Sequence, residues 1–293
     1  MKFSIGKAAM MILLLVFALL CVFPFYLTLI GSMTNEHEIR TLGYSLWPQT
    51  LDFTAYYVLF RNSEKIIRGG LISVSVLLIG TPLCVLVNAM LAYPISQKRV
   101  KYRNALAFIS FFTMLFNGGM IPWYIVCVNL LRLKDSLFAL ILPYLANAVY
   151  VMFFVNYFRS VPAEMSESAM IDGARDLRTF FQIMLPVSVP VIATVALFAG
   201  LEYWNDWWLG IMLIDKTELQ PLQILLRTIV SNIQFLNSIS SSGSTVASNL
   251  KAALPSESIK MATCIVTIGP IIFLYPFMQR YFIKGIMIGA VKG

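Results

Sequence analysis

Few side chains in this sequence are equipped to catalyse or to ligate, and most of them stand apart. His37 is the sole histidine, flanked by Glu36 and Glu38 in a polar stretch, and one imidazole without further ligands makes no zinc site. Cys21, Cys84, Cys127 and Cys264 show no C-x-x-C spacing, so they indicate neither a disulfide framework nor a metal centre. No paired carboxylates and no nucleophile-base set occur at a plausible site, which argues against an enzyme in its own right. The phosphate-cradling pattern G-x-x-x-x-G-K-[ST] is also missing. Any ATP that drives this chain is therefore expected on another subunit.

One segment, Val161 to Pro186, is different. There the acids Glu164, Glu167, Asp172 and Asp176 alternate with the small or apolar residues Ala163, Ser166, Ser168, Ala169 and Met170. Ser160 is placed to cap a helix with Pro162 in its first turn, and Glu164 suits the positive end of the helix dipole. Gly173 is expected to end that helix in a left-handed turn. A second amphipathic stretch then leads through Phe180 and Ile183 into Pro186 and Pro190. This helix, glycine pivot and helix exceed what a connector needs, since helix connections usually run about 2 to 8 residues. The small residues would let a partner approach the helix closely; the alternative is a re-entry loop that packs on its own bundle.

The elements that carry this loop are dictated by solvent. Hydrophobic residues make up 59% of the chain and charged residues 12%, against roughly a quarter charged in a soluble domain. A bilayer core needs roughly 20 apolar residues of helix, and six uncharged runs reach that length: Ala8 to Ile30, Gly69 to Gln97, Asn104 to Leu131, Ser136 to Phe158, Thr179 to Leu201 and Met261 to Gln279. The expected class is all-α, a polytopic membrane protein with six transmembrane helices in one domain, 1–293. The third run is interrupted by Asn117, Gly118, Gly119 and Pro122, so its helix is expected to end or bend there. The first run follows Lys2 and Lys7, is too long for a signal-peptide core and closes on no A-x-A site, so it reads as a retained signal anchor. No Asp, Glu, Lys, Arg or His falls within the six runs; Glu202 and Asp206 lie just past the end of the fifth. Ion-coupled transporters usually hold such a group at membrane depth, and no internal repeat supports an inverted-repeat fold.

Charge sets the expected orientation. Lys98, Arg99, Lys101 and Arg103 lie between runs two and three without an acid, and Arg280, Lys284 and Lys292 close the chain. By the positive-inside rule these segments are cytoplasmic, as are both termini and the loop 160–186. On that assignment 12 of the 22 basic residues and four of the 14 acidic ones are cytoplasmic, which leaves ten of each outside. The basic balance thus reports topology and gives no support to nucleic-acid binding. An extended external loop, 209–258, is expected to carry a helix with Leu222, Leu225, Leu226, Ile229 and Ile233 near helical spacing, and then a polar tract from Asn237 to Asn249.

The loop closely resembles the EAA signature of binding-protein-dependent ABC importer permeases, E-A-A-x-x-D-G-A followed by F-x-x-I and L-P. Glu167, Ala169, Asp172, Gly173, Ala174, Phe180, Ile183, Leu185 and Pro186 fall in register, and Ser168 replaces an alanine with another small residue. The end of the chain from Tyr275 to Gly293 is similar to the tail of sugar-importer permeases of the maltose-transporter G-subunit type. The tracts Asn117 to Pro122 and Glu202 to Trp208 look most like the branch handling larger oligosaccharides, including alginate and pectin-derived ones.

The resemblance implies a type I ABC importer permease fold in a bacterial cytoplasmic membrane. It implies a second homologous permease, two ATP-binding subunits that hold ATP and magnesium, and an external or periplasmic solute-binding protein. Glu164, Glu167, Ser168, Ala169, Asp172, Gly173 and Ala174 would form the helix that docks on the ATPase. This chain itself would need no cofactor or metal. Substrate contacts are expected from Asn88, Tyr93, Asn147, Tyr150, Tyr203, Trp204 and Asn205, because aromatic faces stack on sugar rings and amides bond their hydroxyls. The alternative is an ATP-independent membrane transporter, or a permease for a non-sugar solute.

Overall fold

The computed structural model describes residues 5–61, 63–171, 173–241, 257–269 and 272. No β-strand occurs among them; the one bridge pairs Thr34 with Leu51. The chain divides into two compact units, residues 1–66 with 225–272 and residues 67–224 with 273–293.

In the first unit, α1 (Ile5–Ser32) is an almost uninterrupted apolar helix whose residues 10–26 are exposed throughout. In water that surface would be intolerable; in hydrocarbon it is the expected face of a spanning helix. Two short helices follow, α2 (Glu36–Leu42) and α3 (Thr54–Phe60). Carboxylates organise the segment between them. Glu38 accepts the Gln49 N–H at 2.8 Å and the Thr50 N–H at 3.4 Å, while Asp52 accepts the Thr54 hydroxyl at 2.5 Å and an Asn35 amide hydrogen at 2.9 Å. Ala55 packs there with Ile233, Ile259 and Ala262, and Glu36 caps the helix 257–269 by accepting the Glu257 and Ser258 N–H groups at 3.0 Å.

The second unit holds most of α4 (Ser63–Ser96), then α5 (Arg103–Leu115) and α6 (Met120–Ile125), which runs on as a π-helical turn to Leu130. The expected break in the third run is a bend of 115°. Its cause is local: Gly119 takes φ +87° before α6, and the Asn117 side chain accepts the Gly119 N–H at 2.9 Å. The fourth run is also bent, by 52°. It begins as 3₁₀ turns, Leu137–Leu140 and Leu142–Tyr144, and becomes α-helical only in α7 (Ala148–Ser160).

The loop folds as α8 (Ala163–Ile171), α9 (Asp176–Thr179), a π-helical turn Phe180–Met184 and α10 (Leu185–Val187). It meets α11 (Val189–Asn205) at 82°, where Pro186 and Pro190 withhold N–H donors and the Ser188 hydroxyl donates to the Met184 carbonyl at 2.6 Å. Then come α12 (Trp208–Leu213) and α13 (Leu222–Ser241), the helix expected after Pro221. Among the described residues, two helices are long and apolar enough to span a membrane, and up to five if each bent pair counts as one span. The sixth run is described only to residue 269 and at residue 272; its end, the tail from residue 273 and most of the tract 237–249 lie outside the described residues.

Candidate coupling site

Pro162 pushes the preceding residue out of the helical region, and Val161 accordingly takes φ −72°, ψ 132°. That kink separates α7 from α8 and corrects the expected cap. Ser160 still belongs to α7, where its hydroxyl donates to the Tyr157 carbonyl at 2.7 Å. The α8 helix turns Ser166 and Ala169 inward at a spacing of three, while Glu164, Glu167 and Ser168 remain exposed. Neither glutamate makes a hydrogen bond among the described residues. Ile171 at the end of α8 is 87% exposed.

Gly173 takes φ +80°. Its N–H donates to the Met170 carbonyl at 3.0 Å and the Ala174 N–H to the Ala169 carbonyl at 2.9 Å. These two bonds define the Schellman close of a helix, in which the left-handed residue satisfies carbonyls that the helix cannot. Asp172 lies outside the described residues, and Ala174 is half-buried beyond the turn. The second limb is anchored by Thr179, Phe180 and Met184, all buried. Arg99 pairs with Asp176 at the head of α9.

The seven residues expected at substrate are spread through the second unit, and most are occupied. Asn88 is 0% exposed; its amide donates to the Cys84 carbonyl at 2.6 Å and the Leu145 carbonyl at 2.9 Å, and its oxygen accepts the Asn147 N–H at 2.9 Å. Asn147 in turn caps α7, its side chain accepting the Val149 N–H at 2.9 Å. Together they turn the chain between the 3₁₀ turns and α7. Tyr93 is buried with its ring 5.3 Å from Phe180 and 6.3 Å from Phe158, beside the loop 160–186. The Tyr150 hydroxyl donates to Glu202 at 2.9 Å and that of Tyr203 to the Ile141 carbonyl at 3.0 Å. Trp204 is buried, whereas Asn205 is exposed, with its amide donating to the Leu201 carbonyl at 2.9 Å.

Residues 53–288 match the family of binding-protein-dependent transport system inner membrane components. The chain belongs to that family. The permease is 40% identical over 283 residues to the polygalacturonan/rhamnogalacturonan transport system permease protein YtcP of Bacillus subtilis (strain 168), covering 96% of each chain. It is 27% identical over 296 residues to the arabinooligosaccharides transport system permease protein AraQ of the same organism, covering 100% of this chain and 98% of that one. A solved structure of a bacterial ABC transporter involved in the import of the acidic polysaccharide alginate shares the fold with a TM-score of 0.79 at 25% identity, over 96% of this chain and 99% of its own. The permease is thus a multi-pass inner-membrane subunit of an ATP-driven, binding-protein-dependent importer that works by alternating access.

Three polar links of the permease were not legible as pairs in its sequence. Tyr150 with Glu202 joins α7 to α11. The Tyr144 hydroxyl donates to Asp206 at 2.8 Å, and Asp206 also accepts the Leu209 N–H at 3.4 Å at the head of α12. Asp135, at φ +57°, accepts the Asp215 and Lys216 N–H groups at 2.7 and 2.9 Å. The Lys216 bond leads in holding its carboxyl below the ordinary value, and the Asp215 bond adds to it. The advance signal was that Asp135, Glu202 and Asp206 lie close beside spans.

Proposed function

We propose that the chain is one permease of an importer for oligosaccharides derived from plant or algal polysaccharides. Its partners are a second homologous permease, two ATP-binding subunits that hold ATP and magnesium, and a solute-binding protein outside. Both termini and the loop 160–186 lie in the cytoplasm, and the segments around Asp135 and Lys216 lie outside. The observation that carries this reading is the α8 helix, closed at Gly173 in a left-handed turn, with Glu164, Glu167 and Ser168 exposed on it. Such a helix presents an acidic, closely approachable face to a partner in water. The substrate class rests on the relatives, which are named for polygalacturonan/rhamnogalacturonan and arabinooligosaccharides.

Of the seven candidate substrate residues, Asn205 is the direct contact: it is exposed, and its side-chain oxygen is open to a sugar hydroxyl. Asn88 and Asn147 shape the path through the bundle, and Tyr150, Tyr203 and Trp204 hold its walls. The test is uptake of an oligogalacturonide and of a neutral arabino-oligosaccharide into proteoliposomes containing the permeases, the ATPase and the binding protein. One or the other accumulates only when ATP and the binding protein are both supplied. Uptake by the permease alone in an ion gradient, or failure of any ATPase to copurify, overturns the assignment. On intact cells Lys216→Cys labels with an impermeant thiol reagent and Lys101→Cys does not.

A further inference from the structure

Arg99 lies three residues beyond the end of α4, and its guanidinium touches the coupling loop on both sides of the Gly173 turn. One terminal nitrogen pairs with Asp176 at the head of α9, and the other reaches the sulfur of Met170 in the last turn of α8. Met170 is also the residue whose carbonyl receives the Gly173 N–H. One side chain therefore ties together the two limbs that the glycine separates, and ties both to the end of α4. A second contact runs parallel to it. Tyr93, six residues before Arg99 and in the last turns of α4, rests its buried ring on Phe180, four residues after Asp176.

We propose that Arg99 is a positioning residue for coupling: it locks α8 and α9 across the Gly173 turn and joins them to α4, so that displacement of α8 is delivered to the helix that carries Asn88. This rests on the reading of the loop as the coupling element. Arginine suits the task because its planar fork offers separate donors in fixed directions, whereas a lysine ammonium is a point charge on a flexible stem. The pair is exposed, 40% at Arg99 and 67% at Asp176, and exposed ion pairs add little to folding stability. Its removal is therefore expected to leave the amount of folded permease unchanged and to alter transmission.

The experiment uses the reconstituted complex with its binding protein, and measures ATP hydrolysed per oligosaccharide imported alongside ATPase copurification. Arg99→Ala and Asp176→Asn keep copurification but raise the ATP used per sugar by about fivefold or more, the scale of a typical coupling free energy. Arg99→Lys is intermediate, and the swap Arg99→Asp with Asp176→Arg restores part of the wild-type ratio. An unchanged ratio in the single variants, loss of copurification in Arg99→Ala, or a swap no better than the single variants overturns the inference. Gly173→Val in the same assay separates the two claims. If it is defective while Arg99→Ala is normal, only the role of Arg99 fails; if it too is normal, the loop is not the coupling element.

Discussion

Two regions of the second unit, the inside of its spans and the exposed helix α8, solve opposite problems. Asn88 and Tyr150 are buried and Tyr144 and Asn147 half-buried, and their polar groups are paired, with Asn88 engaging three backbone groups of two segments. On α8 the polar groups are exposed, and Glu164 and Glu167 have no hydrogen-bond partner among the described residues. Polar atoms inside a span must be satisfied internally because lipid offers nothing, while the exposed carboxylates of α8 face water. Chemical type alone, an amide here and a carboxylate there, does not tell the two uses apart.

The comparison breaks most visibly at Gly173. A β-carbon there meets nothing within 4 Å, so the whole penalty is backbone strain at positive φ, about 1 to 2 kcal/mol or more for a β-branched residue. Gly173→Val is expected to insert normally, to lose uptake by about tenfold and to copurify less ATPase. Gly173→Asn, which tolerates the left-handed region, is expected to keep most of both. Equal behaviour of the two variants would show that the turn conformation is irrelevant.

Inside the spans the effect falls on stability. Asn88→Leu strips partners from the Leu145 carbonyl and the Asn147 N–H, at about 1 to 3 kcal/mol for such a buried group. Thermal unfolding of the purified permease should shift down, with less protein in the membrane. An unchanged unfolding temperature would return Asn88 to the list of direct substrate contacts.

Charge reversal at Glu167 is milder because the residue is exposed. Glu167→Lys is expected to reduce ATPase copurification several-fold at low salt and by less at high salt, since screening weakens exposed charge pairs. A defect of the same size at both ionic strengths would assign the loss to packing.

The smallest effect concerns acid. Asp135 holds the Asp215 and Lys216 N–H groups, and its carboxyl sits below the ordinary 3.8. A depressed folded value means that its contribution is present above 3.8 and is lost as pH falls through the lower, folded value. Hydrogen exchange at the Asp215 and Lys216 amides should quicken in that window in the wild type, and already at neutral pH in Asp135→Ala. No difference between the two at neutral pH would remove Asp135 from its role.

Much of this protein was determined by local sequence. Length without charge marks a span whatever packs against it, Pro and Gly close to one another break the third run, and Gly173 after a short amphipathic stretch announces a left-handed turn. The short helix and the turn at Gly173 were legible for the same reason, since a helix and its cap are made within about a dozen residues. Only tertiary structure decided which polar residues are spent. Asn88 meets Leu145 and Asn147, Arg99 meets Asp176, and Tyr150 meets Glu202 across separations of 52 to 77 residues. It also bent the fourth run, where Asn88 meets Asn147. Such pairings follow from how the helices cross, and nothing in the spacing of residues along one helix records which neighbour will stand opposite.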